Sequence, residues 1–109
     1  MKLLISVINS DDTYALTDAL IDDGYSATII STTGGFLREG NATVLIGVED
    51  NQVIDVLEVI RANCRTRRKF VSPVAAALDY EGSYLASPIE VEVGGAVVFI
   101  VDVARFEKF

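Results

Sequence analysis

Ten consecutive residues, Thr32-Thr33-Gly34-Gly35-Phe36-Leu37-Arg38-Glu39-Gly40-Asn41, carry most of the chemistry this sequence offers. Glycines let the backbone take positive φ and approach a ligand closely. Amides exposed by such a turn can bind an anion, and Phe36 supplies a ring face for stacking. A connection that only reverses the chain needs a shorter loop, such as Asn-Gly. The plain alternative is a flexible hairpin, because glycine-rich loops are weak evidence without their context. The excess length points to a ligand with anionic and flat parts, without naming one.

Other candidates carry less. Arg61, Arg65, Arg67, Arg68 and Lys69 are five of the nine basic residues. Such a cluster complements a helix C-terminus and solvates a loop, or meets a phosphate or an acidic partner. Glu90 and Glu92, two apart, suit a solvated strand edge as well as an acid/base pair. Cys64, near a helix end, reads as a small buried residue, and Phe99 as core or as a platform for a ring. The chain has no histidine and one cysteine, which rules out Ser-His-Asp, Cys-His and the usual zinc constellations within it. A lone cysteine also forms no intrachain disulfide and suits a reducing cytoplasm, where the Asn41-Ala42-Thr43 sequon is coincidental. A net charge of −7 argues against general nucleic-acid binding.

The elements that must position these residues follow from their patterns. The length of 109 residues suits one domain, 1–109, with one core. No apolar run approaches the roughly 20 residues that cross a bilayer. Leu3–Ile8 is too short and lacks a cleavage site for a leader, and reads as a first strand over 2–9. Asn9-Ser10-Asp11-Asp12 caps a helix over about 12–23, with Gly24 placed at its C′ position. Ala27–Thr33 and Thr43–Val48 read as strands two and three. Asp50 caps a second helix in which Val53, Val56, Leu57 and Ile60 follow helical spacing. Residues 65–88 lack periodicity and read as a long loop. Ile89–Val93 alternates apolar and acidic residues as a half-exposed strand, and Gly94-Gly95 leads into Ala96–Val101, a buried strand. The order β-α-β-β-α-β with one extra hairpin strand before the last is a ferredoxin-like α+β sandwich. Its strands are apolar on both faces, so self-association is the expected cover for the second face.

Taken together, these strings resemble the PII-like cyclic di-AMP receptors, a family of small signal proteins. The resemblance rests on Ala27-Thr28, Thr32–Arg38, Gly40-Asn41, Val71-Ser72-Pro73 and Glu90–Ala96, and it runs from Met1 to Phe109. It implies a PII-like homotrimer whose three sheets line a central core, with one cyclic di-AMP in each cleft between subunits. The loop after the second strand (the T-loop, about 34–40) is then short, and the loop after the second helix (the B-loop, about 65–88) long. The implied molecule is a non-enzymatic cytoplasmic receptor. It uses no metal and no cofactor besides its ligand, and relays binding to a protein target.

By the same resemblance, Thr28 and Asn41 hydrogen-bond the ligand, while Gly35, Phe36 and Leu37 meet it through backbone groups and an apolar contact on adenine. Gly47 lies close to a base, and Phe99 forms an aromatic wall. Two positions depart from the pattern: Ser26 stands where members carry arginine, and Lys108 where they carry glutamine. Those departures keep a second reading open, a trimeric adaptor that has lost cyclic di-AMP or takes another adenine nucleotide. A small acyl-phosphate hydrolase, drafting Arg38 and Asn41, is a third reading, supported only by analogy of fold.

Overall fold

Leu4, Ser6 and Ile8 are fully buried, while Leu3, Ile5 and Val7 between them are half covered. That two-residue period sets one face of a strand against a core. The computed structural model describes residues 1–31, 40–71 and 89–109. Their elements run β1 (Lys2–Asn9), α1 (Thr13–Asp22), β2 (Thr28–Ser31), β3 (Asn41–Val48), α2 (Val53–Asn63), β4 (Arg67–Val71), β5 (Ile89–Val93) and β6 (Ala96–Asp102).

Four strands form one antiparallel sheet in the order β2-β3-β1-β6. The units β1-α1-β2 and β3-α2-β6 each leave a gap between two parallel strands, and each fills the gap of the other. This is the expected ferredoxin-like arrangement. Ala42, Val44, Ile46 and Val48 of β3 are buried on the same face as Leu4 and Ile8. Leu16 and Leu20 of α1 and Val56 and Ile60 of α2 close over them.

The helix ends obey their local chemistry. A 3-10 turn, Ser10–Asp12, leads into α1, and the Asn9 side chain accepts from the Asp11 amide at 2.9 Å. At the other end Gly24 has φ +87°. Its amide donates to the Ile21 carbonyl at 2.9 Å and that of Tyr25 to Leu20 at 2.8 Å, a Schellman closure that needs the left-handed residue at Gly24. Before α2 the cap is Glu49, one residue earlier than the expected Asp50, because Glu49 and Gln52 form a reciprocal capping box. Among the described residues no helix is long and apolar enough to cross a membrane.

Two expectations change. Residues 65–88 are not loop throughout, because Arg67–Val71 is a strand paired with β5 in a separate two-stranded sheet. Arg67-Arg68-Lys69 shows no alternation, so the signal lay in its partner: Arg68 stands opposite Glu92, and its guanidinium reaches Glu90 at 3.4 Å. Cross-strand pairs of opposite charge stabilise such a ribbon. The extra strand expected before the last is thus present as β5, with β4 as its partner. Second, β6 joins the main sheet as an edge strand, and Val97, Phe99, Ile100 and Val101 are exposed in this chain where burial was expected. The two helices pack over the inner strands and leave the rim uncovered.

Candidate functional site

The register settles which face each candidate residue occupies. Thr28 stands opposite Leu45, Leu45 opposite Ile5, and Ile5 opposite Phe99, so these four form one row across the sheet. Asn41 and Gly47 share parity with Leu45 along β3. Thr28, Asn41, Gly47 and Phe99 therefore all stand on the face that carries no helix. Leu3, Ile5 and Val7 floor that face, and Phe99, 56 % exposed, is at its rim.

They do not converge within one chain. Thr28 and Phe99 are three strand spacings apart, about 14 Å. Asn41 and Gly47 occupy opposite ends of β3, about 20 Å apart along the strand. The candidate residues thus spread toward two ends of the sheet. At one, Thr28 and Gly47 are diagonal neighbours on β2 and β3, and exposed Ser26 lies just before β2. The C-terminal segment leaves from this end, where the Val103 amide donates to the Met1 carbonyl at 3.1 Å, and Lys108 is exposed within it.

Gly47 is informative because the fold does not demand it. Its φ is not positive, and an added Cβ would meet only the Met1 methyl at 3.5 Å, an ordinary contact. Glycine inside a strand weakens it and marks close approach by a ligand or another backbone.

The opposite end contains a cleft of about 360 Å³ walled by Val7, Asn9, Asn41, Thr66, Gly94 and Gly95. Two side-chain amides and a hydroxyl give it donors and acceptors, and Val7 gives it an apolar wall. Gly94 and Gly95 have φ +86° and +83°. A Cβ on Gly94 would lie 2.6 Å from the Arg65 carbonyl oxygen and 2.6 Å from an Arg67 nitrogen, so glycine is required there twice over. Behind this turn Arg67 Nη2 donates to Asp12 Oδ1 at 2.8 Å and Nη1 to Oδ2 at 3.3 Å. Hydrogen bonding and charge from Asp12 hold that guanidinium above the ordinary arginine range. The pair ties β4 to the start of α1. Nearby, the Ser10 amide donates to the Gly40 carbonyl at 2.9 Å and anchors the residue that follows the glycine-rich run.

Gly35, Phe36 and Leu37, with Arg38, lie outside the described residues. Sequence reasoning did not assign Asn9, Thr66, Gly94 or Gly95 to a site. The adjacent glycines were a signal for a close approach, Asn9 read only as a cap, and Thr66 had none.

The basic cluster divides. Arg67 and Arg68 are paired with Asp12 and Glu90, whereas Arg61 touches only exposed Glu58 at 3.5 Å. Arg65 is in no ion pair among the described residues. Cys64 is 1 % exposed, and burial, with Asp12 nearby, pushes its thiol up to about 11. It is a neutral wall residue.

Comparison with known proteins adds two findings. A crystal structure of a functionally unknown protein from Pediococcus pentosaceus is similar, with a TM-score of 0.76 and 41% sequence identity, over 99% of this chain and 96% of that chain. The family model described as cyclic-di-AMP receptor matches residues 1–109. The chain belongs to that family.

Proposed function

We propose that this member of the cyclic-di-AMP receptor family binds cyclic di-AMP between subunits of a homotrimer and signals without catalysing a reaction. The observation that carries the shared site is the spread of the candidate residues over one helix-free sheet face. Asn41 and Gly47 stand at its two ends, and Thr28 and Phe99 on the row between. A ligand touching both ends of one chain would lie along the apolar surface of Leu3, Ile5 and Leu45, which offers its phosphates nothing. If two chains meet head to tail, the Thr28–Gly47 end of one faces the Asn41 cleft of the next. Head-to-tail contacts that close by rotation make a ring, and a trimer of this kind also buries the open face.

The chemistry suits the ligand. An adenine edge pairs with the amide of Asn41, its face stacks on an aromatic ring, and close approach at Gly47 admits a flat base. Binding is expected to act through the T-loop (about 34–40) and the B-loop (about 65–88), loop ordering being a recognised switch type. A cytoplasmic protein partner would read that change.

Ser26 is the observation that favours a second reading, an adaptor of the same fold without cyclic di-AMP binding. It is exposed and neutral where the family pattern has a guanidinium. A charge-assisted hydrogen bond lost there is worth about 1.5–3 kcal/mol, or about one to two decades in affinity. Lys108 returns a charge but lacks the planar fork. Isothermal titration with cyclic di-AMP, against cyclic di-GMP and ATP, separates the readings. One selective, unhydrolysed cyclic di-AMP per chain supports the receptor, and Ser26→Arg then tightens it by about one to two decades. Silence toward all three ligands from a folded protein supports the adaptor.

A further inference from the structure

On the helix side of β6, beside the Asn41 cleft, a second cleft of about 290 Å³ opens between α2 and the sheet. Leu57, Ile60, Cys64 and Val98 give it an apolar wall, and the exposed residues Arg61 and Arg65 line the same open cleft. We propose that this cleft is a separate binding site for a small organic anion with an apolar body, an aryl or short acyl phosphate or carboxylate.

Charge singles the place out. The chain carries −7, yet five of its nine basic residues fall between 61 and 69. Arg67 and Arg68 are neutralised by Asp12 and Glu90. Of the rest, Arg61 and Arg65 line this cleft. Arg65 is in no ion pair among the described residues, and a guanidinium fork matches phosphate or carboxylate. The surface contact of Arg61 with Glu58 is of a kind worth little and easily exchanged.

Size sets the class of ligand. The volume equals that of about ten waters, which suits a single ring or short chain with its anionic group. The thiol of Cys64 stays neutral at physiological pH and adds no competing charge to the wall. The two clefts adjoin at Thr66, Gly95 and Ala96; beyond these the first is lined by α2 and Val98, the second by Val7, Asn9, Asn41 and Val97. The inference does not depend on cyclic di-AMP binding and would survive its failure.

Amide shifts of the isotopically labelled full chain, titrated with phenyl phosphate, octanoate and inorganic phosphate, test it. The expected result is a saturable shift at Leu57, Ile60 and Val98 with phenyl phosphate or octanoate, whichever anion fits better, and none there with inorganic phosphate. The exposed double variant Arg61→Gln, Arg65→Gln should weaken it at least about tenfold, while Asn41→Ala should leave it unchanged. No saturable shift with either amphiphile would overturn the proposal. So would equal shifts with inorganic phosphate, or the same affinity in the double variant.

Discussion

The two faces of the four-stranded sheet carry similar side chains and differ in what covers them. On one, Leu4, Ile8, Val44 and Ile46 lie under α1 and α2 and reach full burial. On the other, Leu3, Ile5, Val7 and Leu45 stay half open, and Phe99 and Val97 are exposed at the rim. The covered face also holds Ser6, whose hydroxyl has no partner among the described residues, and Cys64, which ends α2, is buried in the same core. The open face holds Thr28, Asn41, Gly47 and Phe99, which the family pattern assigns to the ligand, while Ser26 and Lys108 lie beyond its strands. One face therefore stabilises the chain, and the other is proposed to join chains and nucleotide.

The largest contrast should appear on truncation. Ile46→Ala, on the covered face, is expected to cost about 2–5 kcal/mol in urea unfolding. Ile5→Ala, one strand away on the open face, should cost less than about half of that in dilute protein. Its main effect should be on the sedimenting mass at higher concentration. Equal losses of stability at the two sites would break the comparison.

Alkali probes the covered face through Cys64. Its folded pKa of about 11 lies above the ordinary 9.0, so the stabilisation is complete below the unfolded value and is lost as pH rises toward the folded one. On the order of 2 kcal/mol should disappear across that window. Unfolding midpoints of the native chain and Cys64→Ala between pH 8 and pH 11 check this, because the variant should lack that slope.

Ser6 gives the smallest effect. An unpaired buried hydroxyl costs stability, so Ser6→Ala should raise it by about 1 kcal/mol, measurable as a higher urea midpoint with unchanged slope. A loss instead would mean that the hydroxyl has a partner or fills space that the methyl leaves empty.

Much of this fold was legible because local chemistry and pattern agree. Gly24 ended α1 where its left-handed residue was needed, and the i, i+3, i+4, i+7 spacing from Val53 marked the buried stripe of α2. The apolar strands predicted a two-sided sheet. Their sequence could not say which side the chain's own helices cover, since Ile5 and Ile46 look alike until topology sets the helices over one of them. The β4 strand was hidden for a different reason. Arg67-Arg68-Lys69 acquires strand character from the acids of β5, a non-local pairing with no period of its own. At the site, Asn41 and Gly47 could be read, but Asn9, Thr66, Gly94 and Gly95 join the cleft only through tertiary approach. Register, and not motif, revealed that Thr28 stands four residues along β3 from Asn41, toward the Gly47 end.

That separation gives the most direct test of a site shared between chains. Thr28→Glu and Asn41→Asp each put a carboxylate where the ligand's phosphates and polar edges would lie, and each alone should abolish cyclic di-AMP binding in titration. Unfolded together and refolded as an equal mixture, the two variants should regain binding at about one site in four, because random assembly unites an intact end from each. A mixture as silent as its components, while the native chain binds, would contradict the shared site.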